Sequence, residues 1–162
     1  MNEEKIQVNF LYDFPNYINY GQGDKNFDVM GKMNELISEP KSPFQNYDMA
    51  DVFLFCMSYA YATKMEPIKP PSASNGMPGS RFKEDRIIYL MKALAIDSTQ
   101  KIETAIYAKE VVKICESYAY VGFKKIYEKI KEYNNEGYTN EKILEQLIRD
   151  CESKKNKKDL NE

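Results

Sequence analysis

The segment CMSYAY at Cys56–Tyr61 returns as CESYAY at Cys115–Tyr120, and each copy closes an apolar run, DVFLFCMSYAYA over Asp51–Ala62 and EVVKICESYAYV over Glu110–Val121. From Val52 to Ala62 the first run is apolar nearly all round, which marks a helix buried on every side. The second run is compatible with a helix of the same kind. Aligning Cys56 with Cys115 also matches Val52 with Val111 and Asp51 with Glu110, while MNELI (Met33–Ile37) and MKALA (Met91–Ala95) hold comparable places upstream. The period needs a shift of one residue, so the two runs read as independent core helices, with a duplicated helix pair as the alternative. Neither copy carries recognisable chemistry, and their value is architectural.

At 162 residues the chain is expected to form one domain, and its 43% apolar content is enough for a core. A mean hydropathy of −0.64 and 30% charged residues point to a soluble protein. No apolar stretch approaches the roughly 20 residues needed to span a bilayer. The start, MNEEKIQVNF, lacks the basic-then-apolar order of a signal peptide. The expected location is therefore cytoplasmic, with no membrane partner.

The chain has no histidine. That removes Ser-His-Asp and Cys-His catalysis, histidine-ligated metals and the usual general base near neutral pH. Cys56, Cys115 and Cys151 form no CxxC pair and fall on apolar helix faces, so they read as small buried hydrophobes. A reducing compartment and the missing histidines argue against a Cys56–Cys115 disulfide or zinc site. No cofactor and no metal is expected. The net charge of −2 and a pI near 5.4 give no global attraction to nucleic acid.

The fold class expected is all-α, mainly, with five or six helices and a short N-terminal strand or extended arm. Ile6, Val8, Phe10 and Tyr12 stand two apart, which suggests the strand. The boundaries are an arm over 1–23, a helical domain over 24–152 and a polar, frayed tail over 153–162. The first helix runs from Asp24 or Asn26 to Ser38 and is stopped by Pro40 and Pro43. Asp48 caps a second, to about Lys64. The irregular stretch EPIKPPSASNGMPGS (Glu66–Ser80) follows, with four prolines and two glycines. A third helix starts near Phe82 to Glu84 and reaches Ile96. A fourth helical region starts near Thr99 to Glu103 and passes Gly122, which either breaks it or permits a close helix crossing. A final amphipathic helix is capped by Asn140 or Thr139 and carries Ile143, Leu144, Leu147, Ile148 and Cys151 on one face.

Candidate contact residues for nucleic acid or a protein partner are Lys64, Lys69, Arg81, Lys83 and Arg86, the cations in and around the irregular stretch. Ordinary solvated charge is the plainer reading of the same residues. NGMPGSR (Asn75–Arg81) lacks the Lys-Thr or Lys-Ser pair and the preceding strand of a phosphate loop. Lys124, Lys125, Lys129 and Lys131 interleave with Glu128 and Glu132, as on a salt-bridged solvent face. The tail lysines 154, 155, 157 and 158 could add weak polyanion affinity or simply solubilise the end. The acidic pairs Asp24/Asp28, Asp48/Asp51 and Glu84/Asp85 read as helix-start residues rather than Mg²⁺ ligands. Tyr59, Tyr61, Tyr118 and Tyr120 need hydroxyl partners in the core, whereas Tyr12, Tyr17 and Tyr20 are freer to stack on a partner.

Four segments carry a family likeness: FQNYDMADVFLFCMSYAYA (Phe44–Ala62), the basic loop MEPIKPP (Met65–Pro71), RIIYLMKALAID (Arg86–Asp97) and ICESYAYVGFKKI (Ile114–Ile126). Their order resembles a small family associated with DNA phosphorothioation (Dnd-type) systems, over roughly Phe27 to Lys131. The arm and the last helix fall outside it. These are packing patterns and transfer no functional residues. The resemblance implies an accessory role beside DNA modification, restriction or defence. The expected function is thus a non-enzymatic interaction protein with a protein partner, and its mechanism would be docking through the loop and exposed helix faces. The alternatives are direct DNA binding through the basic loop and a carboxylate-dependent, Mg-type nuclease. A homo-oligomer is left open, since a helix apolar all round can be covered by its own core or by a second copy.

Overall fold

A computed structural model describes residues 2–159. Its elements in chain order are helix α1 (Glu3–Tyr12), strand β1 (Tyr17–Ile18), α2 (Val29–Ser38), α3 (Met49–Ala62), strand β2 (Met77–Pro78), α4 (Asp85–Thr99), α5 (Ala108–Asn135) and α6 (Asn140–Asp159). Short 3-10 turns occupy Gly79–Phe82 and Ile102–Ile106. The architecture is all-α apart from the two-residue antiparallel pairing of β1 with β2, Tyr17 opposite Pro78 and Ile18 opposite Met77. Among the described residues no helix is long and apolar enough to cross a membrane.

The 28-residue α5, about 42 Å long at 1.5 Å per residue, is the axis on which the other helices pack. Gly122 does not break it. A Cβ at Gly122 would overlap the carbonyl oxygen of Cys56 and crowd the Cβ of Ala60, so glycine lets the backbones of α3 and α5 touch. Tyr61 meets Tyr118 edge to face at 5.7 Å. Residue numbers therefore rise along α3 as they fall along α5, and the pair is antiparallel. Around this crossing Val52, Phe53, Cys56, Met57, Val111, Cys115 and Phe123 are essentially inaccessible. Each large apolar side chain so buried contributes roughly 1.5–3 kcal/mol. Cys56 and Cys115 are free thiols, and burial pushes both thiol pKa values up. They pack as small hydrophobes, as their helix faces predict.

The N-terminal segment differs from the expected strand or arm. Residues 3–12 are helical, with Phe10 buried and Val8 64% and Tyr12 89% exposed. Burial follows Ile6, Gln7, Phe10, Leu11 and Phe14, the one-sided stripe of a helix. The alternation of Ile6, Val8, Phe10 and Tyr12 was a coincidence of a helical face with two exposed hydrophobes. The short strand exists further on, at Tyr17–Ile18, and Phe10, Phe14, Ile18 and Tyr20 join the common core.

Other boundaries move for identifiable reasons. Helix α2 starts at Val29, after Asp28, whose side chain accepts from the Gly31 N–H. Asp48 caps α3 as expected, accepting from the Ala50 N–H at 2.8 Å. Helix α4 runs three residues past Ile96 to Thr99, where left-handed Gln100 (φ 57°) ends it. The start of the fourth region is then a 3-10 turn, and α5 begins only at Ala108. Ahead of α6 the Thr139 hydroxyl accepts from the Lys142 N–H at 3.3 Å. That helix extends through the expected tail to Asp159, beyond the frayed end anticipated at Ser153. Residues 160–162 and the side chains of Lys157 and Lys158 lie outside the description.

The lysines of α5 do not form the intrahelical ladder expected. Lys124 reaches Asp24 (3.3 Å), Lys129 reaches Asp150 on α6 (2.9 Å) and Lys131 pairs with Glu35 on α2. A tyrosine hydroxyl donates to each of the same carboxylates: Tyr120 to Asp24 (2.5 Å), Tyr59 to Asp150 (2.8 Å) and Tyr127 to Glu35 (2.6 Å). Three Tyr–carboxylate–Lys clasps thus bind neighbouring segments to the α3–α5 pair. The Tyr120 hydroxyl, with the Phe27 N–H and Lys124, lowers the Asp24 carboxyl to about 2. Its stabilising effect is present above the ordinary carboxylate range and is lost as pH falls toward 2.

Gly122→Ala gains about 1 kcal/mol of helix propensity. It sets this against overlap with a backbone oxygen that cannot rotate away, an overpacking cost of about 1–3 kcal/mol or more. The variant is expected to be less stable than wild type by roughly 1–2 kcal/mol in urea unfolding. Equal or greater stability would show that the crossing is looser than described.

Candidate functional site

Helix α3 closes with Lys64 in the left-handed region (φ 60°), where the Met65 N–H returns to the Ala60 carbonyl at 2.9 Å. This is a helix-ending hydrogen bond usually built on glycine. The chain then runs without regular structure as a strap across α5. The Ile68 N–H donates to the Ser117 carbonyl at 3.4 Å. The Asn19 side-chain amide donates to the Pro71 carbonyl at 2.9 Å, and Gln22 reaches the Asn75 carbonyl. The strap is thus held from below by α5 and from the side by residues 16–23.

Gly76 and Gly79 serve this fastening. A Cβ on Gly76 would overlap the Ile18 carbonyl and one on Gly79 the Pro15 carbonyl, and the Gly79 N–H donates to Asn16 at 2.7 Å. The glycines that superficially suggested a phosphate loop allow two backbones to meet.

Between the strap and α5 lies a groove of about 540 Å³ lined by Asn19, Lys69, Ser72, Lys113, Glu116 and Ser117, with prolines 67 and 70 and Ile114. Glu116 is its distinguishing group. One carboxylate oxygen accepts the Asn19 main-chain N–H at 2.7 Å. The other forms no hydrogen bond among the described residues and is not sealed from solvent, and Glu116 lines the groove. Burial pushes the carboxyl up to about 7, against the opposing pull of the Asn19 N–H and the Lys113 charge. The Glu116 side chain therefore exchanges a proton close to neutral pH.

The five cations expected to form a contact site are not gathered in one place. Lys69 lines the groove. Lys64 lies past the C-terminus of α3, its ammonium 5.2 Å from the Tyr61 ring centre. Arg81 is at the other end of that helix, bonded at 2.6 Å to the capping Asp48. A helix of 14 residues separates those ends by about 20 Å. Arg86 pairs with Glu84 at 2.6 Å, and Lys83 is exposed between these pairs. Of the three tyrosines thought free, Tyr12 and Tyr17 are exposed but Tyr20 is buried.

The core tyrosines all have hydroxyl partners: Tyr59 with Asp150, Tyr61 with Asp97, Tyr118 with Ser98 and Tyr120 with Asp24. Among the described residues no three of His, Cys, Asp or Glu converge on a metal position.

Sequence reasoning passed over Glu116 and Lys113. A signal for Glu116 was present: aligning the two CxSYAY copies sets it opposite Met57, which is completely buried. An acid at a position whose counterpart is a core methionine marks a carboxyl held in an apolar setting. Lys113, one turn earlier, carries no comparable mark.

Residues 26–162 match the family described as DNA sulphur modification system-associated protein 4. The chain belongs to that family. The likeness seen over Phe27 to Lys131 thus extends through α6 to the end of the chain. That family links it to DNA sulphur modification, and the strap and α5 lie within the matched region, whereas Asn19 of the groove precedes it. No curated protein and no solved structure matches the chain.

Glu116 titrates near 4.5 as an ordinary glutamate and near 7 here, so the folded state holds more protons between those values. Its contribution to stability is full below the ordinary pKa and is lost as pH rises through about 7. Glu116→Gln is expected to be about 1–3 kcal/mol more stable than wild type at pH 8, with the difference shrinking below pH 5. Urea unfolding from pH 5 to 8 measures this. A wild type and variant that track each other across that range would remove the assignment.

Proposed function

We propose that this protein is a non-enzymatic accessory protein of the modification machinery, acting by docking to another protein through the surface built by the strap and α5. The reading extends to the restriction or defence functions that accompany such modification. The observation that carries it is the fastening of the strap. Prolines, glycine contacts and hydrogen bonds with Asn19, Gln22 and Ser117 fasten the irregular strap beside an open groove. A pre-organised surface of this kind loses little conformational entropy on binding a partner.

Direct DNA binding through the loop has less support. Two of its three arginine or lysine candidates around the 3-10 turn, Arg81 and Arg86, are occupied by Asp48 and Glu84, and the net charge is −2. A nuclease would need converging carboxylates, whereas Asp24, Asp28 and Asp48 accept from nearby main-chain N–H groups, Glu84 pairs with Arg86, and Asp51 and Asp85 stand in the first turns of α3 and α4.

The test has two arms. Tagged full-length protein, expressed with the proteins of the modification system, is expected to co-purify with at least one of them. In fluorescence anisotropy with a 20-base-pair duplex, Arg81→Ala/Lys83→Ala/Arg86→Ala is expected to behave like wild type from 50 to 200 mM salt. Steeply salt-dependent duplex binding that the triple variant abolishes would replace docking with DNA recognition.

A further inference from the structure

The groove between the strap and α5 has features that the docking reading does not itself require. One wall is the strap, which has no regular structure from Met65 to Ala73. Glu116 lines the groove too, already holding one main-chain N–H, that of Asn19, with a second oxygen that is not sealed from solvent. Lys113 on α5 acts on the Glu116 carboxyl through its charge, and Lys69 lines the same groove from the strap. Neither forms an ion pair among the described residues. The lysines on the second half of α5 are largely committed to carboxylates of the fold, so these two are set apart. Ser72, Ser98 and Ser117 add hydroxyls along the same cleft, and Pro67, Pro70 and Ile114 supply the apolar surface.

We propose that this groove receives an extended, acidic peptide segment of a partner protein, its carboxylates lying between Lys69 and Lys113 and its main chain hydrogen-bonding to Glu116. Charge complementarity selects the occupant. Lys69 and Lys113, without ion-pair partners among the described residues, line a groove whose carboxyl holds its proton part of the time near neutrality, so the cleft favours anionic side chains over cationic ones. Main-chain recognition by Glu116 repeats the contact it makes with Asn19 and fits a backbone lying in line with the strap. The volume, about 540 Å³, suits a short segment and lies within the range of pockets that bury most of a ligand's surface. When Glu116 is protonated it donates to a peptide carbonyl, and when ionised it accepts a peptide N–H.

This proposal rests on the docking role, and its test keeps the two separable. Fluorescein-labelled ten-residue peptides of one extended, proline-containing sequence, in acidic, neutral and basic versions, are titrated into the full chain. Anisotropy and amide chemical shifts are followed together. The acidic peptide is expected to bind at least fivefold more tightly than the basic one and to shift the amides of Lys69, Ser72, Lys113 and Ser117. Lys69→Glu/Lys113→Glu should abolish that preference, while Lys83→Glu/Lys125→Glu, two exposed lysines outside the groove, should leave it intact. Equal binding of acidic and basic peptides, shifts confined to other surfaces, or the same shifts from citrate alone would overturn the proposal. Co-purification with the modification proteins that survives Lys69→Glu/Lys113→Glu would also overturn the groove assignment while leaving the docking role standing. Failure of the wild type to co-purify would instead strike at the docking role.

Discussion

The contact of the α3 backbone with the α5 backbone, Cys56 carbonyl against Gly122, is the constraint on which the other packing depends. With no side chain at 122, the two helices approach until main chain meets main chain, and Ala60 fits the remaining space. That approach seals Cys56, Met57, Val111 and Cys115 from solvent. It also sets Tyr61 against Tyr118. A larger residue at 122 would separate the helices, and the dispersion contacts on either side of the crossing would weaken together.

From this pair the rest of the domain is fastened by polar clasps at the edges of the apolar core. Tyr59, Tyr120 and Tyr127 each bring a ring into the packing and a hydroxyl to a carboxylate, and a lysine of α5 completes each arrangement. The lysines thereby do two things: they offset the cost of half-buried acids, and they hold α2, α6 and the segment around Asp24 in register with α5. A basic helix face that in isolation reads as a salt-bridged solvent face is thus largely spent on carboxylates of other segments.

The strap brings function closest to structure. Its prolines and glycines signalled an irregular segment, and that much was legible in the sequence. Its order was not, because order comes from contacts with Asn19, Gln22 and Ser117, residues far away in the chain. The same limit applies to the candidate site. Lys69 stood out as a loop cation, yet Glu116 was hidden inside a core motif and declared itself only by standing where its counterpart Met57 is apolar. Arg81 and Arg86 looked available until Asp48 and Glu84 were found beside them.

The CxSYAY segments show where the division falls. Local periodicity, the Asp48 cap and the absence of histidine were enough to determine a mainly helical chain with two buried central helices and no histidine-based chemistry. Those properties depend on neighbours along the chain. The N-terminal helix was missed because Val8 and Tyr12 are exposed apolar residues that mimic an alternating strand, and only their lack of a packing surface distinguishes the two. Tertiary structure alone decided that Gly122 is a crossing point rather than a break. It also decided that the α5 lysines clasp distant carboxylates and that Glu116 opens into a groove beneath the strap. Each of these rests on a through-space approach of backbone, charge or burial between residues that are far apart in sequence, and periodicity carries no record of such distances.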